Sequence, residues 1–519
     1  MLNRRRWSSL SIASAMCLLV LSGAALAQSA VDGDAMNLTL SDALQIALEN
    51  NLGLEAARVA PEIAAEQIVF QEGAFDGTFS VGAQYIDDTN DQTITDKFSS
   101  ATSPGSDDSE TLQGTASWTD PLNFGASYSV EYRPRNFSST SRTVIDAGFF
   151  QDSVRDSKAG AVVLRYDMPL LRGFGKQVNT EGLVLARTDA EMSLDTMRGE
   201  AITVIEQAEG AYWDVVASRA ELRVANLALE RAEDLLELNR KKVEVGTLAP
   251  IEITQARAEV ASKTEGVIVA EVNLLNAEDE LRKLLSFAAD DPAWSRAIMA
   301  TDRPSFTKQE IDLDGAIEVA MATRPDILNA RRNLSQKELS AIVARKNARQ
   351  QLDLNAQLSP STFDNDQAFQ FPTAPTQNSA TNVEGDGMNW QIGLTYTMKV
   401  RNRQRRANER IAALNLSKAG VDLLNAEQSV RVEVRTAIRN IESGYKRVEA
   451  ARINVDLQTE KLDAEQKKFD NGMSTSFEVL TFQNDLADAE LRLISAGLDY
   501  AKGLTAIERA KGTLLDARG

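Results

Sequence analysis

The chain has 519 residues, with 75 Asp and Glu against 56 Lys and Arg, a net charge of −19, one cysteine and no histidine. Such acidity argues against nucleic acid as a partner, because phosphate contacts need clustered basic side chains. The missing histidine excludes Ser-His and Cys-His activation of a nucleophile and leaves any metal site to carboxylates alone.

Arg4, Arg5 and Arg6 precede an apolar run from Leu10 to Leu26 that ends in Ala25-Leu26-Ala27. This pattern predicts a secretory signal over residues 1–27 and a mature chain from Gln28. The run is interrupted and short for a transmembrane anchor. Cys17 lies inside it and not at the cleavage point, so no lipid anchor is expected. Losing three arginines and no acid takes the net charge from −19 to −22.

The stretch after Leu40 predicts a helix over Asp42–Asn50 with Ser41 as its N-cap. Ala43 and Ala47 give it a small-residue face, and Pro61 is expected to interrupt the helical pattern further on. The period then changes to two. Phe79, Val81, Ala83 and Tyr85 alternate with polar neighbours, as do Leu112 to Trp118, Phe124 to Tyr132 and Val162 to Met168. These segments are about 9–11 residues long, the span of a tilted transmembrane strand. Polar stretches over Asp88–Glu110 and Arg133–Ala159 are expected as long loops, and Thr119–Asn123 as a short turn. From Val178 to Val245 there is no proline and a heptad-like stripe that includes Ala208, Tyr212, Val215, Leu229 and Leu236. At 1.5 Å per residue this predicts a rod of roughly 100 Å. A glycine turn and a return helix over Ile251–Ser286 follow.

The segment Phe287–Ser305, with Asp291-Pro292 and Trp294, reads as a linker within residues 287–312. After it the chain repeats itself. LDGAIEVAMATRPDI from Leu313 echoes LSDALQIALENNLGL from Leu40, with Asp314 in the capping place and Pro325 as interruption. Alternation returns at Leu352 to Leu358 and at Met388 to Met398, around a polar stretch Ser359–Gly387. A second rod spans Arg401 to Asn471, its first residues rich in arginine (Arg401, Arg403, Arg405, Arg406, Arg410), and a return helix covers Thr475–Leu515. KKFDNGMSTSFEVLTF from Lys467 echoes KKVEVGTLAPIEITQA from Lys241. Two repeats are expected, 28–286 and 313–519, each running helix, strands, long helix, glycine turn and return helix.

On these paired openings, the strand exits Tyr166–Gly175 and Tyr396–Arg406, and the two glycine turns, the chain resembles the TolC family of outer-membrane efflux proteins over essentially its whole mature length. The resemblance implies an α+β membrane protein: a homotrimeric channel with a transmembrane antiparallel β-barrel and a long periplasmic coiled-coil barrel. It also implies residence in the outer membrane of a Gram-negative bacterium, contact with its lipid, and docking to a periplasmic adaptor that leads to an inner-membrane transporter. The family expects two strands per repeat, whereas four are counted in the first; twelve or eighteen strands per trimer stay open. The rival reading is a non-conducting, periplasm-spanning anchor or stalk.

Gly246 and Gly472 stand where a left-handed helix C-cap is wanted. The resemblance makes these turns the docking tips, with Val245, Thr247, Asn471 and Met473 as contacts. Glu252 and Glu478, six residues past each glycine, would ring the periplasmic aperture together with Gln255 and Thr481. Six carboxylates in a trimer would favour cations, although an acid at a helix N-terminus also has a purely structural use. Thr481 stands where relatives often carry a second acid, and Phe469 where they carry a latching tyrosine. The sequence shows no phosphate-binding glycine loop, no catalytic constellation and no metal-spaced cluster, so neither enzyme activity nor a cofactor is expected.

Overall fold

The computed structural model describes residues 35–95, 102–146, 149–288, 290–303, 306–372 and 374–518. The expected signal segment 1–27, Cys17 and Gln28 lie outside them. The described chain forms two compact units. One comprises residues up to Ala60, Leu194–Asn329 and the chain from Leu424; the other comprises Pro61–Ser193 and Ala330–Leu423.

In the first unit, strand β1 (Ala35–Leu38) leads into helix α1 (Leu40–Asn50). The cap is Thr39 and not Ser41: its Oγ1 accepts the Asp42 N–H at 3.1 Å, two residues earlier than the sequence suggested. After one extended residue, Asn51, helix α2 (Leu52–Glu72) begins, and Pro61 sits inside it without ending it. The later pair is built alike. Helix α6 (Leu313–Thr323) is capped by Asp312, not Asp314, through the Gly315 N–H at 2.8 Å. The extended Arg324 ends α6, and Pro325 opens α7 (Pro325–Asn347), where a proline's missing N–H costs nothing.

The two predicted rods are present. Helix α4 (Glu181–Glu244), preceded by the one-turn helix α3 (Lys176–Asn179), has 64 residues, and α8 (Arg403–Asp470) has 68. Their return helices are α5 (Ile251–Leu285) and α9 (Ser476–Lys511). The last of these ends earlier than expected: Gly512 adopts a left-handed φ of 76°, and α10 (Leu514–Arg518) is separate. One buried cluster gathers Leu44, Ile205, Tyr212, Leu281 and Ile298; a second gathers Ala320, Val434, Ile441 and Tyr500.

The segment read as a linker is more than that. Strand β6 (Ala297–Ala300) pairs in parallel with β1 from Ala35↔Ala297 to Leu38↔Ala300. Arg282, almost fully buried, holds it there by donating to the carbonyls of Ala293 and Arg296 while pairing with Glu278 at 2.9 Å. Arg219 meets the other oxygen of Glu278 at 3.1 Å. Next to this sheet the Tyr212 hydroxyl donates to Asp302 at 2.8 Å, and its burial pushes the phenol up to about 12.

The second unit is built on one antiparallel sheet of β2 (Thr78–Thr95), β3 (Thr102–Pro121), β4 (Ser127–Asp146), β5 (Phe149–Pro169), β7 (Gln351–Gln370) and β8 (Ser379–Thr397), adjacent in that order. Among the described residues this sheet has six strands, as the alternation indicated, but they are twice the expected length. The stretches expected as loops are mostly ladder: Asp88 pairs with Ser109, Ser138 with Asp156, and Asp364 with Glu384. Hydrophobic alternation stops halfway along each strand, whereas backbone pairing does not, and only the first of these is visible in a sequence. The turn joining β3 to β4 runs from Leu122 to Ala126, with Gly125 at φ 97°; the turn and the start of β4 lie a few residues later than expected.

One cross-strand row reads Phe79, Trp118, Val130, Leu164, Leu358 and Trp390, all exposed. The row one residue on, Ser80, Ser117, Glu131 and Val163, faces the other way and is mostly polar. One face of the sheet is therefore apolar where it meets its surroundings and the other is hydrophilic. The arginines at 401, 403, 406 and 410 follow β8 and are exposed.

Candidate functional site at the helical tips

The two predicted tips lie in the same compact unit. At the first, Gly246 has φ +77°, its N–H reaches Val243 O at 2.9 Å, and Thr247 N–H reaches Lys242 O at 2.9 Å. At the second, Gly472 has φ +71°, with Gly472 N–H to Phe469 O at 3.1 Å and Met473 N–H to Lys468 O at 2.9 Å. This paired pattern is a Schellman close, which satisfies the last carbonyls of a helix and needs a residue without Cβ strain at the left-handed position. Sequence reading placed both glycines correctly.

The turns differ after the glycine. Thr475 caps α9 in a reciprocal box: its Oγ1 accepts Glu478 N–H at 3.3 Å, and a Glu478 carboxylate oxygen accepts Thr475 N–H at 3.3 Å. The Ser474 hydroxyl lies 2.7 Å from a Glu478 carboxylate oxygen and also against the buried Glu465, its single proton shared between the two carboxylates, and Lys468 meets Glu465 at 2.9 Å. The Ser474 hydroxyl first, then the Thr475 N–H, holds the Glu478 carboxyl below the ordinary glutamate range. Helix α5 begins after Pro250, an N-cap that provides no capping side chain. Its Glu252 turns instead to the neighbouring hairpin, where the buried Ser476 hydroxyl donates to it. The predicted acids therefore come to one place, each already engaged: Glu478 within its own turn, Glu252 across to α9. Gln255 and Thr481 are exposed one turn further on, and the Thr481 hydroxyl bonds back to Phe477 O at 2.9 Å.

Beneath the tips Phe469 is buried with Leu235, Val479 and Leu480. The Lys242 ammonium lies 3.5 Å from its ring centroid and donates to Phe469 O at 2.7 Å, so this position is held by packing and a cation on the ring face. Val245, Met473 and Phe477 are each about seven-tenths exposed, and Asn471 is exposed beside them. Sequence reasoning missed Ser474, Ser476, Lys242 and Glu465. The spacing Thr475-x-x-Glu478 was a readable capping box; the contact from Ser476 to Glu252, 224 residues apart, carried no local signal.

A family profile described as "Outer membrane efflux protein" matches residues 137–286 and 316–513. The chain is 25% identical over 341 residues to outer membrane protein TolC of Salmonella enteritidis, which is 64% of this chain and 66% of that one. It is 24% identical over 314 residues to the pyoverdine export outer membrane protein OpmQ of Pseudomonas aeruginosa, 58% of this chain and 60% of that one. It spans about two-thirds or less of the length of these curated relatives. Among solved structures it is similar to the outer-membrane channel CmeC of Campylobacter jejuni, with a TM-score of 0.60 at 18% identity over 92% of this chain and 86% of that one. It is also similar to the channel OprN, with a TM-score of 0.64 at 14% identity over 91% and 90%. At these identities the structures speak for the fold. Since the profile covers well over half of its residues, the chain belongs to the outer membrane efflux protein family and is an outer-membrane protein, not an enzyme.

Proposed function

We propose that three copies of this chain, each built from two repeats, assemble into an export duct. The sheets would close into a barrel in the outer membrane, and the long helices would form a periplasmic coiled-coil barrel. The observation that carries this reading is the sheet with one apolar and one hydrophilic face, since a lipid-facing wall around a water-filled lumen needs that division. Membership of the family and the naming of relatives for export support the direction of transport.

The helical tips dock a periplasmic adaptor that leads to an inner-membrane transporter. Support comes from large apolar side chains held out in the open, Val245 and Met473 at the Schellman-closed turns and Phe477 in the first turn of α9. Gly246, Thr247, Asn471 and Gly472 complete the surface. Glu252 and Glu478, with Gln255 and Thr481, line the aperture, where carboxylates from three copies favour cations.

Single-channel conductance in planar bilayers tests this, with the natural protein set against a Glu252→Ala, Glu478→Ala double variant. A small cation-selective conductance that grows or loses its selectivity in the variant is the expected result. Silence from both proteins after confirmed insertion as trimers would overturn the duct and leave a periplasm-spanning stalk.

A further inference from the structure

We propose that the membrane wall of the assembly has eighteen strands, six from each of three copies, and that its lumen admits hydrophilic solutes too wide for a twelve-stranded barrel. The inference rests on the trimeric duct proposed above and concerns what such a duct can pass.

The extra hairpin, β3 with β4, could in principle plug the lumen, lie outside the barrel or belong to its wall. Its side chains decide. Trp118 and Leu112 on β3, and Tyr128, Val130 and Tyr132 on β4, occupy the same face as Phe79 and Tyr85 on β2 and as Leu164 and Tyr166 on β5. The rows Phe79–Trp118–Val130–Leu164 and Val81–Ala116–Tyr132–Val162 cross the hairpin without a gap, and Trp118 and Tyr132 are as open to their surroundings as Val130 and Leu164. A plug would bury such residues or replace them with polar ones. Ser117, Thr115 and Ser129 keep the opposite face short and hydrophilic, as a wet lumen needs.

The edges agree. Among the described residues, β2 and β8 are each paired on one side only. In lipid an open edge leaves backbone groups unsatisfied, so each must find a partner in another copy. With an even number of strands the two edges run in opposite directions, and they are nearly equal in length, 18 and 19 residues. Strand β8 of one copy can therefore pair antiparallel with β2 of the next. Phe79 and Val81 then continue the face that carries Ile392 and Leu394, so the apolar belt passes the seam.

The width follows from geometry. With strands about 4.8 Å apart and tilted about 40°, eighteen strands close at a backbone diameter of roughly 36 Å, against roughly 24 Å for twelve. Barrels of 16–18 strands hold an aqueous channel. The sheet then sets no narrow limit on cargo, and selection by size falls to the helical end.

The test uses the full chain in planar bilayers, with polyethylene glycols of graded size added only on the barrel side. Polymers that enter the mouth lower the conductance without having to pass the aperture. The comparison is a variant lacking residues 102–146, which removes β3 and β4 and keeps the up–down order. The natural protein is expected to admit polymers at least about 1.5 times wider than the variant does, since an equal side-chain lining narrows both backbone cylinders. Equal cut-offs, with both proteins inserted as trimers, would overturn the proposal.

A second measurement holds if the variant does not fold. In a Cys17→Ser background, Val81→Cys is combined in turn with Trp390→Cys, Ile392→Cys, Leu394→Cys or Leu164→Cys. Disulfides between chains from β2 to β8 are expected; a disulfide within one chain from Val81→Cys to Leu164→Cys would mean that the hairpin stands outside the wall. A mass other than that of a trimer would sink the duct reading, while the cross-links would still report whether the hairpin is in the wall.

Discussion

The tip of α9 shows how closely a single turn can be specified. Thr475, Ser474 and Glu478 form a closed set in which each polar atom answers another, and the lowered pKa of Glu478 records that its charged form is the partner. Removing the cap by Thr475→Ala is expected to cost about 1 kcal/mol locally, while Thr475→Ser costs little. Amide hydrogen exchange over residues 474–480 reads this directly, with faster exchange in the alanine variant alone. The pH dependence has a definite sign. A carboxyl whose folded pKa is depressed contributes fully above its ordinary value of 4.5, and the contribution is lost as pH falls through the lowered value. Protection of the tip, corrected for intrinsic exchange, is therefore expected to be flat from pH 7 down to the ordinary glutamate value of 4.5 and to fall as the pH drops below it. A Glu478→Gln variant should flatten that slope to what Glu465 contributes, since its carboxyl is also held low by Ser474 and Lys468.

The sheet gives the matching argument at the level of an element. Ile392 and Gln391 are neighbours on β8, but their side chains leave the sheet on opposite faces. If the apolar face meets lipid, Ile392→Arg is expected to destabilise insertion by about 2–4 kcal/mol, with Gln391→Arg close to neutral. Refolding into vesicles against urea measures both, and equal costs would remove the lipid-facing assignment. The same strands show what a sequence can disclose. Their proximal halves were legible because Phe79, Val81 and Tyr85 alternate with Ser80 and Gln84, a pattern that only a two-sided environment imposes. The distal halves were not. Asp87, Thr89 and Asp91 face Glu110, Asp108 and Ser106, polar on polar, so the ladder continues with no hydrophobic period to announce it. The rods were legible for the converse reason: their stripe persists for many turns and ends at a glycine. Strand β6 was hidden because four residues, Ala297–Ala300, are too few to show a period, and because Arg282 and Arg219 hold it through carbonyls. Thr39 lost to Ser41 in the reading since three capping residues stand within four positions, and only backbone geometry separates them.

For the whole molecule, the question is which surfaces the chain leaves for its own copies. Helix α9 buries Val479, Leu486, Ala496 and Tyr500 among other residues of the chain. Helix α5, its counterpart in the first hairpin, buries few side chains before its last turns and leaves Ile268, Val272 and Leu275 half-exposed or more along one stripe, at spacings of four and three. On α8, Ile453 and Leu457 are likewise open, four apart. Single exposed leucines are ordinary, but periodic stripes on two helices are the pattern of a coiled-coil seam without its partner. If these stripes meet in the trimer, a charge placed in one should spare the chain and break the assembly. Leu275→Glu replaces a side chain that is 58% exposed in the single chain, so the cost to the subunit's own stability is expected to stay within about 0.5 kcal/mol. In the trimer it would bury three unpaired carboxylates, each costly without a cationic neighbour. Light scattering of the detergent-solubilised protein should then give the mass of one copy for Leu275→Glu and of three for the natural chain, with matching far-ultraviolet circular dichroism. Leu275→Met, similar in volume and uncharged, should keep the trimer. If Leu275→Glu also assembles, the stripe on α5 is not the seam, and closure between copies must rest on the sheet edges and on α8.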